Sequence, residues 1–166
     1  MFRFILGSGL LLRGTTLLLV RSCYEQAPLP LWTLPGGRQE PGETIAQTIV
    51  REYLEETSLQ VCIDELAYVS ESIDANADLH VVNCTFWVSE SDTDVQPASN
   101  DPKVVEAKFV PVQEAPDLLR ADVLRIPVAT AIGDRLSGPK GPLLHYYAFD
   151  AKNIVVPFFQ LGPSRG

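Results

Sequence analysis

The sequence predicts a single α/β domain over residues 1–166, and three observations predict it. The length is that of one average domain, and a composition of 46% hydrophobic and 20% charged residues suits one ordinary buried core. Short aliphatic or alternating runs recur along the chain in the manner of strands. One segment, beginning at Thr44, combines helical spacing with a helix-start signal.

Leu10–Leu12 and Leu17–Val20 are aliphatic runs around Arg13-Gly14-Thr15-Thr16, and a glycine in a short polar break between two such runs marks a hairpin. From Ser22 to Pro41 the chain is punctuated by Pro28, Pro30, Pro35 and Pro41, which predicts a loop holding one strand-like patch, Leu31-Trp32-Thr33-Leu34. Gly36-Gly37 and Gly42 then allow sharp bends and a close approach of backbone to a ligand. Thr44-x-x-Gln47 fits a capping box, Glu43 complements the positive end of the helix dipole, and Ile45, Ile49, Val50, Tyr53 and Leu54 form one apolar face. After Ser58 the period changes: Leu59–Ile63, Tyr68–Ser72, His80–Val88 and Val104–Val112 are expected as strands. Glu90–Pro102 is an acidic loop, Val112–Leu119 a second helix start, and His145–Phe159 an apolar stretch able to dock as a strand.

The net charge of −8 opposes a role on nucleic-acid polymer, because phosphate contacts need clustered Lys and Arg. A small anionic substrate is compatible with it only if a cation offsets the acidic site. Cys23, Cys62 and Cys84 are odd in number and far apart, which opposes a disulfide framework or a zinc site and makes a reducing, cytoplasmic setting the expectation. The thiols are expected to be small buried groups. Met1–Leu12 is apolar, but Gly7, Ser8 and Gly9 interrupt it and Arg13 ends it, so a buried strand is expected rather than a targeting segment. No run approaches the ~20 apolar residues of a membrane span.

The informative cluster is Arg51-Glu52-Tyr53-Leu54-Glu55-Glu56. On a helix Glu52, Glu55 and Glu56 fall within an arc of roughly 100°. Like charges at this spacing are destabilising by roughly 0.2–0.5 kcal/mol per pair, whereas a hard cation turns their repulsion into attraction. A solvated acidic face is the plainer reading of such a triplet in isolation, but the surroundings point elsewhere. The run Gly37-x5-Glu43-x7-Arg51-Glu52-Tyr53-x-Glu55-Glu56-x-Ser58-Leu59 closely resembles the Nudix box, G-x5-E-x7-R-E-U-x-E-E-x-G-U with U a bulky aliphatic residue. Six of the seven fixed polar or glycine positions are met; Ser58 stands at the seventh, and Tyr53 replaces an aliphatic residue. Leu31–Gly37 looks like the strand and loop leading into the box, and Lys108–Pro111 like the strand near its far side.

The resemblance implies a Nudix fold, a mixed β-sheet between α-helices with a loop–helix–loop catalytic motif. It implies hydrolysis of a pyrophosphate bond in a nucleoside diphosphate linked to another moiety, with Mg²⁺ or Mn²⁺ as cofactor. Glu52, Glu55, Glu56 and the Gly37 carbonyl are then the metal ligands, Glu52 the residue that helps take the proton of the water, and Arg51 the residue that orients Glu43 or Glu52. The partner is a small nucleotide or nucleoside diphosphate derivative; no membrane is implied, and a homodimer is allowed. A base or further ligand from outside the box is sought in Glu106, with a surface glutamate on a strand as the other reading. Trp32 or Tyr68 stacks on a base, or each packs in the core; His80 and His145 are read as packed residues and Glu40 as solvated. Markers of the ADP-ribose, dinucleoside polyphosphate, coenzyme A and NADH types are absent. That leaves a nucleoside triphosphate pyrophosphohydrolase or a broad house-cleaning enzyme, with a non-catalytic nucleotide-binding or sensor module as the alternative.

Overall fold

A computed structural model describes residues 1–25, 27–138 and 145–150, and the backbone of 153–160. The aliphatic runs around Gly14 form the expected hairpin: β1 (Phe2–Arg13) and β2 (Thr16–Ser22) are antiparallel, with Leu12 opposite Leu17. Gly14 has φ 57°, the left-handed conformation that tight hairpin turns demand. β2 also carries β3 (Leu31–Thr33) on one side and β7 (Val104–Pro111) on the other. The earlier part of β1 runs parallel to β6 (Leu79–Glu90) and pairs with the short β4 (Gly36–Arg38). β5 (Val61–Asp74) lies antiparallel to β6 and parallel to β8 (His145–Asp150), and β9 (Asn153–Gln160) closes that edge. Among the described residues the strand order is β3-β2-β1-β6-β5-β8-β9, a mixed sheet.

Helix α1 (Ile45–Thr57) begins as expected, with Thr44 Oγ1 accepting from Gln47 N–H and Gln47 Oε1 accepting from Thr44 N–H. It covers one face of the sheet, where Leu11, Leu18, Ile49, Tyr53, Leu59, Val61 and Val88 pack together. α2 (Ala115–Leu118) and α3 (Asp122–Leu136) cover the other face, where Val128 of α3 packs with Leu10, Leu17, Tyr68, Trp87 and Tyr147 of the sheet. Neighbours such as Leu10 and Leu11 serve opposite layers because successive strand residues point to opposite faces. Two glycines of β1 let α1 approach closely. A Cβ at Gly9 would meet the Tyr53 ring at 2.6 Å, and one at Gly7 would meet Ile49 Cγ1 at 2.9 Å.

Several expectations are corrected. The expected strands at Leu59–Ile63 and Tyr68–Ser72 merge into one, β5, which starts only at Val61 and whose register shifts at Ile63/Leu66 and Leu66/Tyr68, across polar Asp64 and Glu65. The apolar face of α1 is narrower than its sequence suggests. Ile49 and Tyr53 are fully buried, but Val50 and Leu54 lie a third of a turn away and are exposed. Cys23 and Cys62 are exposed and Cys84 is half-buried, so the thiols do not fill the core. The helix expected from Val112 is only the four residues of α2, and α3 is new. Pro127 inside α3 hides it in the sequence, since proline usually ends a helix. No described helix is long and apolar enough to cross a membrane.

Candidate active site

The box brings β4 and α1 together. Pairing with β1 sets Gly36 opposite Ser8 and Gly37 opposite Gly7, and neither glycine has room for a side chain. A Cβ at Gly36 would lie 2.3 Å from the Gly7 carbonyl oxygen, and one at Gly37 would lie 2.3 Å from Glu52 Oε1. The Gly37 backbone therefore runs directly against the Glu52 carboxylate, the close approach that glycine permits.

On α1, Glu52 and Glu56 face this strand. Glu52 is largely buried, and burial raises its pKa against the opposing pull of Arg51. Glu56 is 8% exposed and accepts a hydrogen bond from Gly36 N–H (2.9 Å to Oε2). Burial, reinforced by the charges of Glu52, Asp101 and Glu55, pushes Glu56 up to about 8. Glu55, half-exposed, lies at the solvent edge of the cluster.

Arg51 is fully engaged with protein groups. Its Nε and Nη2 donate to the Glu43 carboxylate (2.7 and 3.1 Å), its Nη1 to Glu52 Oε1 and Glu55 Oε2 (2.8 and 3.3 Å), and its Nη2 also to the Arg38 carbonyl (3.1 Å). Glu43 is held down to about 2, chiefly by Arg51 and further by the Glu40 N–H and the Thr48 hydroxyl. Arg51 thus ties the loop before α1 to the carboxylates on it.

The residues sought outside the box fall differently. Glu106 on β7 is paired with Arg21 (3.0 Å) and Lys108 (3.1 Å). The charge of Asp101, which precedes β7, is among the causes that raise the pKa of both Glu52 and Glu56. Asp101 sits in the acidic loop noted in the sequence, but Asp92 and Asp94 share that loop and no spacing singles it out. Trp32 on β3 is partly buried, with Arg21 and Lys108 over its ring at 5.5 and 4.9 Å. Tyr68 is corrected as a ligand contact. It is 1% exposed, enclosed in the core between the sheet and α3 and edge-on to Tyr147 at 5.8 Å. His80 and His145 are bonded to Glu71 and Asp134.

Among the described residues no three His, Cys, Asp or Glu side chains converge on one point; Glu52 is held by Arg51 and Glu56 by Gly36 N–H. The donor set is nonetheless all hard oxygen: three glutamates on one helix turn and a glycine backbone beside them. Two of those glutamates are buried against their own charge, a cost that a bound hard divalent cation would offset.

Beside Gly36 and Gly37 opens a pocket of about 270 Å³. Its apolar walls include Leu6, Leu34, Val81 and Leu124, and its polar groups are neutral: Ser8, Thr33, Ser70, Ser72, Asn83 and Tyr24. Ser8 Oγ donates to Asn83 Oδ1 at 3.2 Å, and Asn83 Nδ2 to Thr85 Oγ1 at 3.3 Å. No charged side chain lines it.

Residues 5–129 match the NUDIX domain family. The fold is similar to that of a NUDIX hydrolase from Nitrosomonas europaea (TM-score 0.68, 22% identity, covering 90% of this chain and 79% of that one). It is also similar to that of a MutT protein from Bacillus halodurans (TM-score 0.66, 18% identity, covering 94% and 96%). Identities this low speak for the fold alone. A protein of Bacillus subtilis (strain 168) named "Putative 8-oxo-dGTP diphosphatase" is 51% identical over 39 residues, 24% of this chain and 26% of that relative, so the match spans about a quarter of the relative's length. With the box intact at six of its seven fixed positions and the family match running over 5–129, the chain belongs to the Nudix family.

Proposed function

We propose that the protein is a divalent-metal-dependent pyrophosphohydrolase acting on a nucleoside triphosphate or another nucleoside diphosphate derivative. The observation that carries this reading is the burial of Glu52 and Glu56 against the backbone of Gly36 and Gly37. Carboxylates crowded in that way are disfavoured by themselves and favoured once a cation binds. Glu52, Glu55, Glu56 and the Gly37 carbonyl would hold Mg²⁺ or Mn²⁺. When bound, the metal offsets the diphosphate charge, polarises its phosphorus–oxygen bonds and lowers the pKa of a ligated water. Glu52, with Oε1 fixed by Arg51, offers Oε2 to accept the proton of the attacking water. Asp101 adds a further carboxylate from outside the box.

The pocket supports the other half of the reading. A cavity of about 270 Å³ with apolar walls and neutral hydrogen-bonding groups suits an uncharged ring system such as a nucleobase, and disfavours a second charged group. With the phosphates over α1 and the base in the pocket, the scissile bond lies near Gly37. The name of the Bacillus subtilis relative, an 8-oxo-dGTP diphosphatase in its wording, agrees with a purine triphosphate among the substrates. A sensor module is disfavoured because every carboxylate of the box is retained.

The test is a panel of nucleoside triphosphates and nucleoside diphosphate derivatives assayed with Mg²⁺ and with Mn²⁺. Hydrolysis at a phosphoanhydride bond, abolished by EDTA and restored by metal, is expected. Full activity in metal-free buffer, or no turnover of any compound, would overturn the reading.

A further inference from the structure

Ser58 is where this chain departs from the box, and its surroundings give the departure a use. Its backbone has φ 58° and ψ 13°, the left-handed conformation that closes a helix and that glycine adopts most readily. Glycine would serve the backbone equally well but would bring no hydroxyl. Here the hydroxyl donates to the Ala98 carbonyl at 2.6 Å and accepts from Asn100 Nδ2 at 3.1 Å.

Three further bonds run along the same seam. Ala98 N–H donates to the Thr57 carbonyl (2.9 Å), Asn100 N–H to the Glu55 carbonyl (3.0 Å), and Ser99 Oγ to that same carbonyl (3.5 Å). The last carbonyls of a helix lack intrahelical partners, and these loop groups supply them. The segment 98–100 is therefore laid across the turn that carries Glu55 and Glu56. Asp101 follows at once, and its N–H donates to Ser99 Oγ (3.0 Å), so it is held at the end of the segment that is tied to the turn bearing Glu55 and Glu56. The connection from β6 to β7 is long and otherwise irregular, the kind of segment that adopts many conformations unless tied down.

We propose that Ser58 is a positioning residue: its hydroxyl pins the 98–100 segment to the C-terminal turn of α1 and so holds Asp101, the next residue, at the end of the helix that carries Glu52, Glu55 and Glu56. The consequence for metal binding rests on the function proposed above; the clamp itself does not.

Three variants test it. Ser58→Gly keeps the backbone conformation and removes the hydroxyl, Asn100→Ala removes the partner from the loop side, and Asp101→Asn removes the charge alone. In the metal-free protein, hydrogen exchange at the Ala98 and Asn100 amides should accelerate about tenfold or more in S58G and measurably in N100A, with the amides of β1 and β6 unchanged. Mn²⁺ titrations followed by electron paramagnetic resonance, without substrate, should show Kd raised at least about threefold in S58G and in D101N. The double variant should be no weaker than D101N alone, as expected for residues acting through one unit. In turnover, S58G should lower kcat about three- to tenfold with KM within about twofold of wild type. Unchanged exchange at Ala98 and Asn100 in both S58G and N100A would overturn the clamp. Accelerated exchange with unaltered Mn²⁺ affinity, or a full additional loss of affinity when S58G is added to D101N, would overturn its role in placing Asp101. A wild-type protein that binds no Mn²⁺ would overturn the functional reading and that second role together, while the exchange rates would still decide the clamp.

Discussion

Arg51 reaches back two helical turns to grip the Glu43 carboxylate with two nitrogens, Nε at 2.7 Å and Nη2 at 3.1 Å. The pair joins the loop that enters α1 to the helix turn that bears the glutamates, and Nη1 of the same guanidinium holds Glu52. A forked contact of this kind fixes direction as well as charge, which lysine at 51 would not reproduce.

The Glu43 contact predicts an acid-sensitive contribution to stability. Its folded pKa, about 2, lies below the ordinary value of 4.5, so the ionised form favours the folded state. That stabilisation is whole above pH 4.5 and is lost as the pH falls toward 2. Glu43→Gln should therefore lower the urea midpoint at pH 6, and the gap from wild type should close between pH 4.5 and 2. A gap that stays constant across that window would mean that Glu43 is not held by Arg51 in solution.

Glu56 predicts the opposite sign. Its folded pKa is raised to about 8, so its neutral form favours the folded state; the benefit is whole below pH 4.5 and is lost as the pH rises through 8. In EDTA, Glu56→Gln should be more stable than wild type at pH 8.5, by roughly 1–3 kcal/mol, the scale of desolvating a buried polar group. The difference should vanish near pH 4. The same variant should lose at least about 100-fold in kcat, a barrier increase of about 2.7 kcal/mol. Urea titrations at several pH values and steady-state assays check both halves; an active variant within threefold of wild type would remove Glu56 from the ligand set.

The fit of Tyr53 against β1 predicts a compensating pair. Gly9→Ala places a methyl 2.6 Å from the Tyr53 ring, and overpacking of this kind costs about 1–3 kcal/mol. Adding Tyr53→Leu, the aliphatic type usual in the box, should recover much of that loss. Thermal denaturation of the two single variants and the double variant gives the coupling, and strictly additive effects would exclude the contact.

In the pocket, Asn83→Leu removes a neutral donor and acceptor beside Ser8 while keeping the volume. For the best substrate of the panel, KM should rise about tenfold with kcat little changed, as for lost uniform binding. An unaltered KM would place the base elsewhere.

Much of this was written in the chain. The capping box at Thr44, the hairpin about Gly14 and the carboxylate face of α1 depend on residues near one another in sequence, and local backbone chemistry suffices to specify them. Even the left-handed backbone of Ser58 follows from its place at the helix end.

What the tertiary structure alone decided are relations between distant segments. Val50 and Leu54 share the helical spacing of Ile49 and Tyr53, yet only the latter pair meets β1, because the sheet covers a narrow arc of α1. Tyr68 and Trp32 are equally plausible aromatics in a strand, but the packing of α3 encloses one in the core, while β3 leaves the other among the cations of β2 and β7. Asp101 is one acid among several in its loop, and what singles it out is that it directly follows residues 98–100, which are bonded to the end of α1. Sequence spacing specifies which residues share a helix face or a turn. Which face is covered, and which loop residue is held at the end of the helix, depends on contacts that close only when the whole sheet is assembled.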